Sequence, residues 1–289
     1  MKSLETWIRD LEHDRSLNAP DRLRQRLDAL DLLDACFLVG QESASDEESP
    51  AQSLRHRADA IRDRLETINA DFYRTIRHEI RRGTLPAWLR EQIIDCSGDA
   101  NAASPGERYD HRDAAVSGIL DFQEPDADGI ELADEMVFYQ PTPARHVFDL
   151  IGRASLTEQD VLVDLGSGLG HVPMLASIGT KAHCIGIERE AAYVDCARRC
   201  AASLDLRNVE FVREDARDAD FTRGTLFYLY TPFTGSILRA VLDSLRREAK
   251  RRAIRIGTYG PCTEIIAAEP WLEVIGSRRV GRVALFGSL

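Results

Sequence analysis

From residue 164 to 171 the chain reads Asp-Leu-Gly-Ser-Gly-Leu-Gly-His. An acid is followed by Gly166, Gly168 and Gly170, with Ser167 among them. Glycines at this spacing let the backbone turn sharply between a strand and a helix. They also let a ligand lie against main chain where a Cβ would block it. Dinucleotide-binding turns are spaced GxGxxG and face a pyrophosphate with a helix N-terminus. Here the spacing is GxGxG, and Asp164 would repel a pyrophosphate but suit a ligand carrying an ammonium and a sulfonium. Eighteen residues past Gly170, the apolar run HCIGIE ends in Glu188, whose carboxylate can accept both hydroxyl protons of a ribose. The next run, NVEFVRED, ends in Glu214 and Asp215, followed by Ala216. There Asp215 could accept from an adenine amino group while the Ala216 N–H donates to the ring. His171 stands in the first turn after the glycines, where it reaches a ligand carboxylate or serves as a cap or surface residue. Singly, a structural turn and solvated strand ends explain each feature. Together they place an amine site, a ribose site and an adenine site in order along one sheet edge.

Such an edge needs a parallel sheet to carry it. From Tyr139 onward, short β-rich runs (DVLVDLG, HCIGIE, NVEFVRED, TLFYLY, AIRIGT) alternate with helical patterns beginning near Thr142, Gly170, Glu190 and Gly235. That alternation predicts an α/β, Rossmann-like sheet of five parallel strands with right-handed crossovers. The last two runs, WLEVIGS and GRVALFGS, lie too close together for a crossover helix and read as a C-terminal antiparallel hairpin. Residues 1–95 read as an N-terminal α-helical region, with Leu23, Leu27, Leu30, Leu33 and Phe37 forming one stripe. Ser49, Pro50 and Gln52 form a helix-start signature. The helix that follows keeps one apolar seam from Leu54 through Ile80, to be buried inside the chain or, as the alternative, in a homodimer. Residues 96–136, with four acids between Asp121 and Ile130, read as a connector, leaving 137–289 as the ligand-binding domain.

The 289 residues carry a net charge of −11. Residues 1–130 hold 17 basic and 27 acidic side chains, against 20 and 21 in the remainder. That balance makes nucleic acid an unfavoured partner. No apolar run reaches the roughly 18 residues of a membrane span, so the expectation is a cytoplasmic protein. The six cysteines form no CxxC and read as reduced, with Cys196 and Cys200 packed in the core and no metal site.

The motifs VLVDLGSGLG, IGIE and REDA resemble the first three motifs of the class I S-adenosylmethionine-dependent methyltransferases, and the terminal hairpin is similar to the one that marks their sheet. The resemblance covers residues ~137–289 and implies S-adenosyl-L-methionine as cofactor. Within that superfamily, Tyr139, Gln140, Pro141 and Thr142, together with VDLGSGLGHV, look like the stretch used by the non-SET (disruptor-of-telomeric-silencing-like) histone-lysine methyltransferases. The likeness implies that Tyr139 and Thr142 close over the cofactor, whereas on the residues alone they read as a packed ring and an N-cap. That family has Gly-Glu where this chain has Gln140 and Pro141, and an asparagine-bearing segment where this chain has Tyr230, Thr231, Pro232 and Phe233.

In the superfamily the loop after strand four faces the methyl group. Tyr230 and Thr231 are therefore candidates to orient an acceptor, and Phe233 to stack on a flat one; a turn ending the strand is the plain alternative. The expected activity is methylation of N or O on a small organic acceptor. The alternative is a protein (lysine) methyltransferase, to which the acidic N-terminal half would attract a basic target. A non-catalytic scaffold on the cofactor fold is the third reading.

Overall fold

The computed structural model describes residues 3–37, 50–98, 109–123, 125, 139–279 and 281–289. Ser49 and most of the connector lie outside these residues. The chain divides into two compact units, Met1–His78 with Asp110–Ile119, and Glu79–Tyr109 with Leu120–Leu289.

The first unit is helical. It holds α1 (Leu4–His13), α2 (Leu23–Phe37), most of α3 (Pro50–Arg81) and nearly all of α5 (His111–Leu120). Ser3 caps α1 by accepting the Thr6 N–H, which satisfies one of the donors a helix start leaves free. Ala58, Ile61 and Leu65 of the α3 seam pack with Ile8, Leu17, Ala29 and Leu33, so this stretch of the seam is buried within the chain. One member of the unit breaks the leucine pattern. Arg26 is fully buried, donating from Nε to Asn69 Oδ1 at 2.6 Å and from Nη1 to the carbonyls of Leu17 and Ala19. A buried guanidinium is tolerated only with such partners.

In α5, a Cβ on Gly118 would overlap the Tyr73 ring. Gly118→Ala is expected to destabilise the protein by about 1–2 kcal/mol, because overpacking costs more than the roughly 1 kcal/mol of helix propensity gained. A lower urea midpoint at unchanged slope checks it; a rise would show that the ring moves aside freely.

The second unit is built on seven strands: β1 (Val161–Leu165), β2 (His183–Glu188), β3 (Val209–Arg213), β4 (Leu226–Leu229), β5 (Arg255–Thr258), β6 (Leu272–Val274) and β7 (Ala284–Ser288). Their order is β3-β2-β1-β4-β5-β7-β6. The first five pair in parallel, and β7 runs antiparallel to both β5 and β6. The expected sheet and terminal hairpin are both present, with the hairpin extending the β5 edge. Strands buried on both faces explain the continuous apolar runs. Leu162, Val163, Leu165, Phe227 and Leu229 are all at most 1% exposed.

The crossovers are α7 (His171–Gly179), α8 (Ala191–Ser203) and α9 (Gly235–Ala249), with α6 (Ala144–Ala154) entering the sheet and α10 (Cys262–Ala267) following β5. At six residues, α10 is too short for a periodic signal. The helix expected near Thr142 begins at Ala144 with Pro143 in the N-cap position, so Thr142 is not the cap. Among the N-terminal helices expected within residues 1–95, α4 (Ala87–Ser97) falls in this second unit and packs on α6. Arg282, in the segment joining β6 to β7, donates to the carbonyls of Cys96 and Ser97 at the end of α4 and pairs with Asp149 of α6. Cys196 and Cys200 are buried, their thiols donating to the carbonyls of Gln123 and Leu120. The described residues contain no group of metal-ligating side chains, and no described helix is long and apolar enough to cross a membrane.

Candidate active site

Strand order reverses between β1 and β4, since β1 leads to β2 on one side and β4 on the other. Loops leaving the two strands diverge, and the crevice between them is where an open parallel sheet binds ligands. A cavity of about 550 Å3 lies there. Its walls include Tyr139, Thr142, Asp164, Gly166, Ser167, His171, Glu188, Asp215, Ala216, Tyr230, Thr231 and Phe233. Of the candidate residues, Gly168 and Gly170 do not line it.

The glycines explain how the walls close. Gly166, Gly168 and Gly170 have φ of +77°, +52° and +85°, the left-handed region that glycine enters without penalty. A Cβ on Gly166 would overlap Pro232, and one on Gly168 the Tyr139 ring. These positions were expected to let a ligand approach main chain. Gly166 and Gly168 also let the loop after β4 and the segment before α6 pack against the turn, and Gly170 makes room for the Phe211 ring of β3. The turn also organises Glu188, which accepts the Gly168 N–H at 2.9 Å and the Glu190 N–H at 2.8 Å. Burial pushes the Glu188 carboxyl above its usual range, and these backbone donors oppose that rise.

Asp164 is 4% exposed and makes no hydrogen bond among the described residues. Burial, and secondarily the neighbouring Glu188, push its pKa up to about 8. Ser167 Oγ is likewise buried without a partner. Asp215 differs. Its oxygens accept from Arg217 Nε at 3.0 Å and Nη2 at 2.7 Å, and this pairing holds its carboxyl below the usual range. A carboxylate so engaged keeps lone pairs for a further donor.

His171 is half-buried, and it is not the cap, since α7 has Gly170 in the N-cap position. Its Nδ1 lies 3.2 Å from the Tyr139 hydroxyl and its ring 4.6 Å from that of Phe122. Burial lowers its pKa to about 4, leaving a neutral imidazole at physiological pH. A ligand carboxylate would meet a hydrogen bond there and no cation. Thr142 Oγ1 sits 3.3 Å from the hydroxyl of Tyr228, a fully buried β4 residue in register with Asp164.

On the β4 side the structure redistributes the expected tasks. Thr231 has φ +43°, and its hydroxyl donates to the Tyr259 carbonyl and accepts the Cys262 N–H. That hydroxyl ties the loop to the start of α10 and is not free to orient an acceptor. Phe233 is 4% exposed, packed in the sheet's core cluster, and also lines the cavity. Tyr230 is half-buried, its ring 5.2 Å from that of Tyr259.

Sequence reasoning missed Tyr193, which lines the cavity from the first turn of α8 with its ring 5.0 Å from Tyr139. An aromatic in the turn following the ribose-type acid was the available signal. Tyr109, whose hydroxyl donates to the Pro141 carbonyl at 2.9 Å, had none.

Residues 136–224 match the family described as "Histone methylation protein DOT1". The match spans the Tyr139 segment, the glycine turn and both later acids, so the resemblance to class I S-adenosylmethionine-dependent methyltransferases, with DOT1-like character, stands. Among solved structures, the chain is similar to an RNA methyltransferase from Salinibacter ruber in complex with S-adenosyl-L-homocysteine. The two are 24% identical over 52% of this chain and 92% of that one, with a TM-score of 0.40. It is also similar to precorrin-6y C5,15-methyltransferase from Geobacter metallireducens, at 17% identity over 57% and 96%, TM-score 0.40. A putative methyltransferase from Escherichia coli is 17% identical over 55% and 91%, TM-score 0.42. No curated protein matches the sequence.

Proposed function

We propose that the protein is an enzyme that methylates a small organic acceptor at N or O, with S-adenosyl-L-methionine bound in the cavity. The observation that carries this reading is the placement of Asp164, Glu188 and Asp215 on three successive strand ends around one space. Its chemistry fits the cofactor. Asp164 is a buried carboxylate without a hydrogen bond, and Ser167 Oγ is a buried hydroxyl without one, so a ligand bearing an ammonium would relieve both. Glu188, oriented by two backbone amides, faces a ribose, and Asp215 with the Ala216 amide faces an adenine. Tyr139 and Tyr193 supply aromatic surface beside them.

The bound cofactor supplies an already activated methyl group. The chain then has to align the acceptor and exclude water. Tyr230 is the group we assign to orient the acceptor, because it lines the cavity with its ring packed beside Tyr259. Tyr230→Phe should therefore reduce kcat about tenfold, ~1.4 kcal/mol, with cofactor affinity within about twofold. The reverse pattern in steady-state kinetics and calorimetry would relocate the acceptor.

Incubation with methyl-labelled cofactor and fractionated cell extract tests the proposal, with label expected in small molecules. The second reading, a protein lysine methyltransferase, is favoured by the match over residues 136–224; label entering protein alone would select it. Calorimetry showing no binding of S-adenosylhomocysteine would remove both readings.

A further inference from the structure

The cavity has two chemically distinct halves. The six charged side chains that line it, Asp164, Glu188, Arg189, Glu190, Glu214 and Asp215, all follow or end β1, β2 and β3. On the β4 and β5 side the lining runs from Tyr230 to Thr234 and takes in Ile237 and Pro261. None of these carries a charge. The segment Tyr139 to Thr142 also lines the cavity without a charge; Tyr139 meets His171 and Tyr193 on the charged side, and Thr142 meets Tyr228 of β4. A nucleoside laid across β1 to β3 lies against this charged half and leaves the uncharged half for the other reactant.

We infer that the acceptor is a flat molecule bearing an uncharged aromatic nitrogen, held against Tyr230 in this uncharged half of the cavity. The inference rests on the cofactor reading given above. Three observations support it. First, a cationic acceptor would approach a positively charged sulfur with no carboxylate of its own to offset the repulsion. Asp164 is taken by the cofactor's ammonium. Second, a hydroxyl acceptor needs a base, and the uncharged half holds no carboxylate or histidine among the described lining residues; His171 lies on the β1 side, held by Tyr139. Third, the Tyr230 ring is fixed in place. It packs on Tyr259, whose ring lies 3.9 Å from His146, and Gly260 at φ +82° lets backbone pass where a Cβ would sit 3.2 Å from the Tyr230 ring. A rigid aromatic face favours offset stacking with a flat partner. Cation–π attraction to the same face is weaker than the cost of stripping water from an ammonium.

The reaction needs no base from the chain. The acceptor nitrogen's lone pair forms the new bond to the methyl carbon as the carbon–sulfur bond breaks. Positive charge passes from sulfur to the ring nitrogen, which is of the pyridine type and bears no hydrogen, so no proton has to leave.

Quinoline, N-methylquinolinium and 2-naphthoate test the inference as matched neutral, cationic and anionic probes. Each is titrated into the full chain with and without saturating S-adenosylhomocysteine, whose own titration tests the cofactor reading separately. Quinoline should bind at least about tenfold more tightly than either ion and lose about tenfold in Tyr230→Ala. Thr234→Glu, which places a carboxylate in the uncharged wall, should shift preference toward N-methylquinolinium; a merely structural perturbation would not. Tighter binding of either ion to the unaltered protein, or no binding of quinoline, overturns the inference.

Discussion

Asp164→Asn is expected to make the protein more stable at pH 8 while weakening its affinity for S-adenosylhomocysteine by more than about tenfold. The two effects share one cause. In the folded chain the Asp164 pKa is raised from 3.8 to about 8 by burial and by Glu188. Between these values the folded protein keeps a proton that the unfolded chain releases. Stability therefore falls as pH rises through this window and is lowest above about 8, where the carboxylate is charged in both states. Asparagine removes that slope. A ligand ammonium favours the charged carboxylate, so binding should expel a proton, and affinity should rise between about pH 6 and 8 by at most tenfold per unit. Thermal melts from pH 5 to 9, and calorimetry in buffers of different ionisation heat, check both halves. A variant less stable at pH 8 with unchanged affinity would show that Asp164 is structural.

Gly168→Val and Glu188→Ala should each weaken cofactor binding by well over tenfold, ~1.4 kcal/mol or more, while leaving cooperative unfolding intact. They attack one hydrogen bond from opposite ends, the 2.9 Å contact from Gly168 N to Glu188 Oε2. Valine at φ +52° is strained, and its Cβ would overlap the Tyr139 ring, displacing the segment that walls the cavity. Alanine at 188 strips the partners from the Gly168 and Glu190 amides, each about 1–3 kcal/mol when left buried and unpaired, and removes the acceptor for the ribose hydroxyls. Because the sites are coupled, the double variant should lose less than the sum of the singles. Additive losses in calorimetry would mean that glycine turn and acid act independently.

The sheet was legible in the sequence because its parallel strands are short β-rich runs, most of them largely apolar, separated by helical patterns, and because segments too short for a crossover can only pair antiparallel. The acids at the strand ends were legible for a related reason. In a parallel sheet every strand of the set ends at the same edge, so position along the chain maps directly onto position along the crevice. Gly166, Gly168 and Gly170 were legible as positions that must lack a Cβ, but not as to what takes the Cβ's place. Pro232 and the Tyr139 ring arrive there from segments far away in the sequence.

The loop after β4 shows the limit most clearly. Tyr230, Thr231 and Phe233 are equally good candidates as residue types. All three line the cavity, and only the fold commits the Thr231 hydroxyl to Tyr259 and Cys262, packs Phe233 into the core and sets the Tyr230 ring beside Tyr259. Arg26 and Asp164 make the same point about charge: the sequence by itself counts them as two ionised side chains, whereas burial decides that one must be wrapped in carbonyls and that the other holds its proton near neutral pH. Local pattern determines which elements form, because backbone periodicity is a near-neighbour property. Desolvation and hydrogen-bond partnership depend on which distant segments close around a group, and those were decided only when the chain folded.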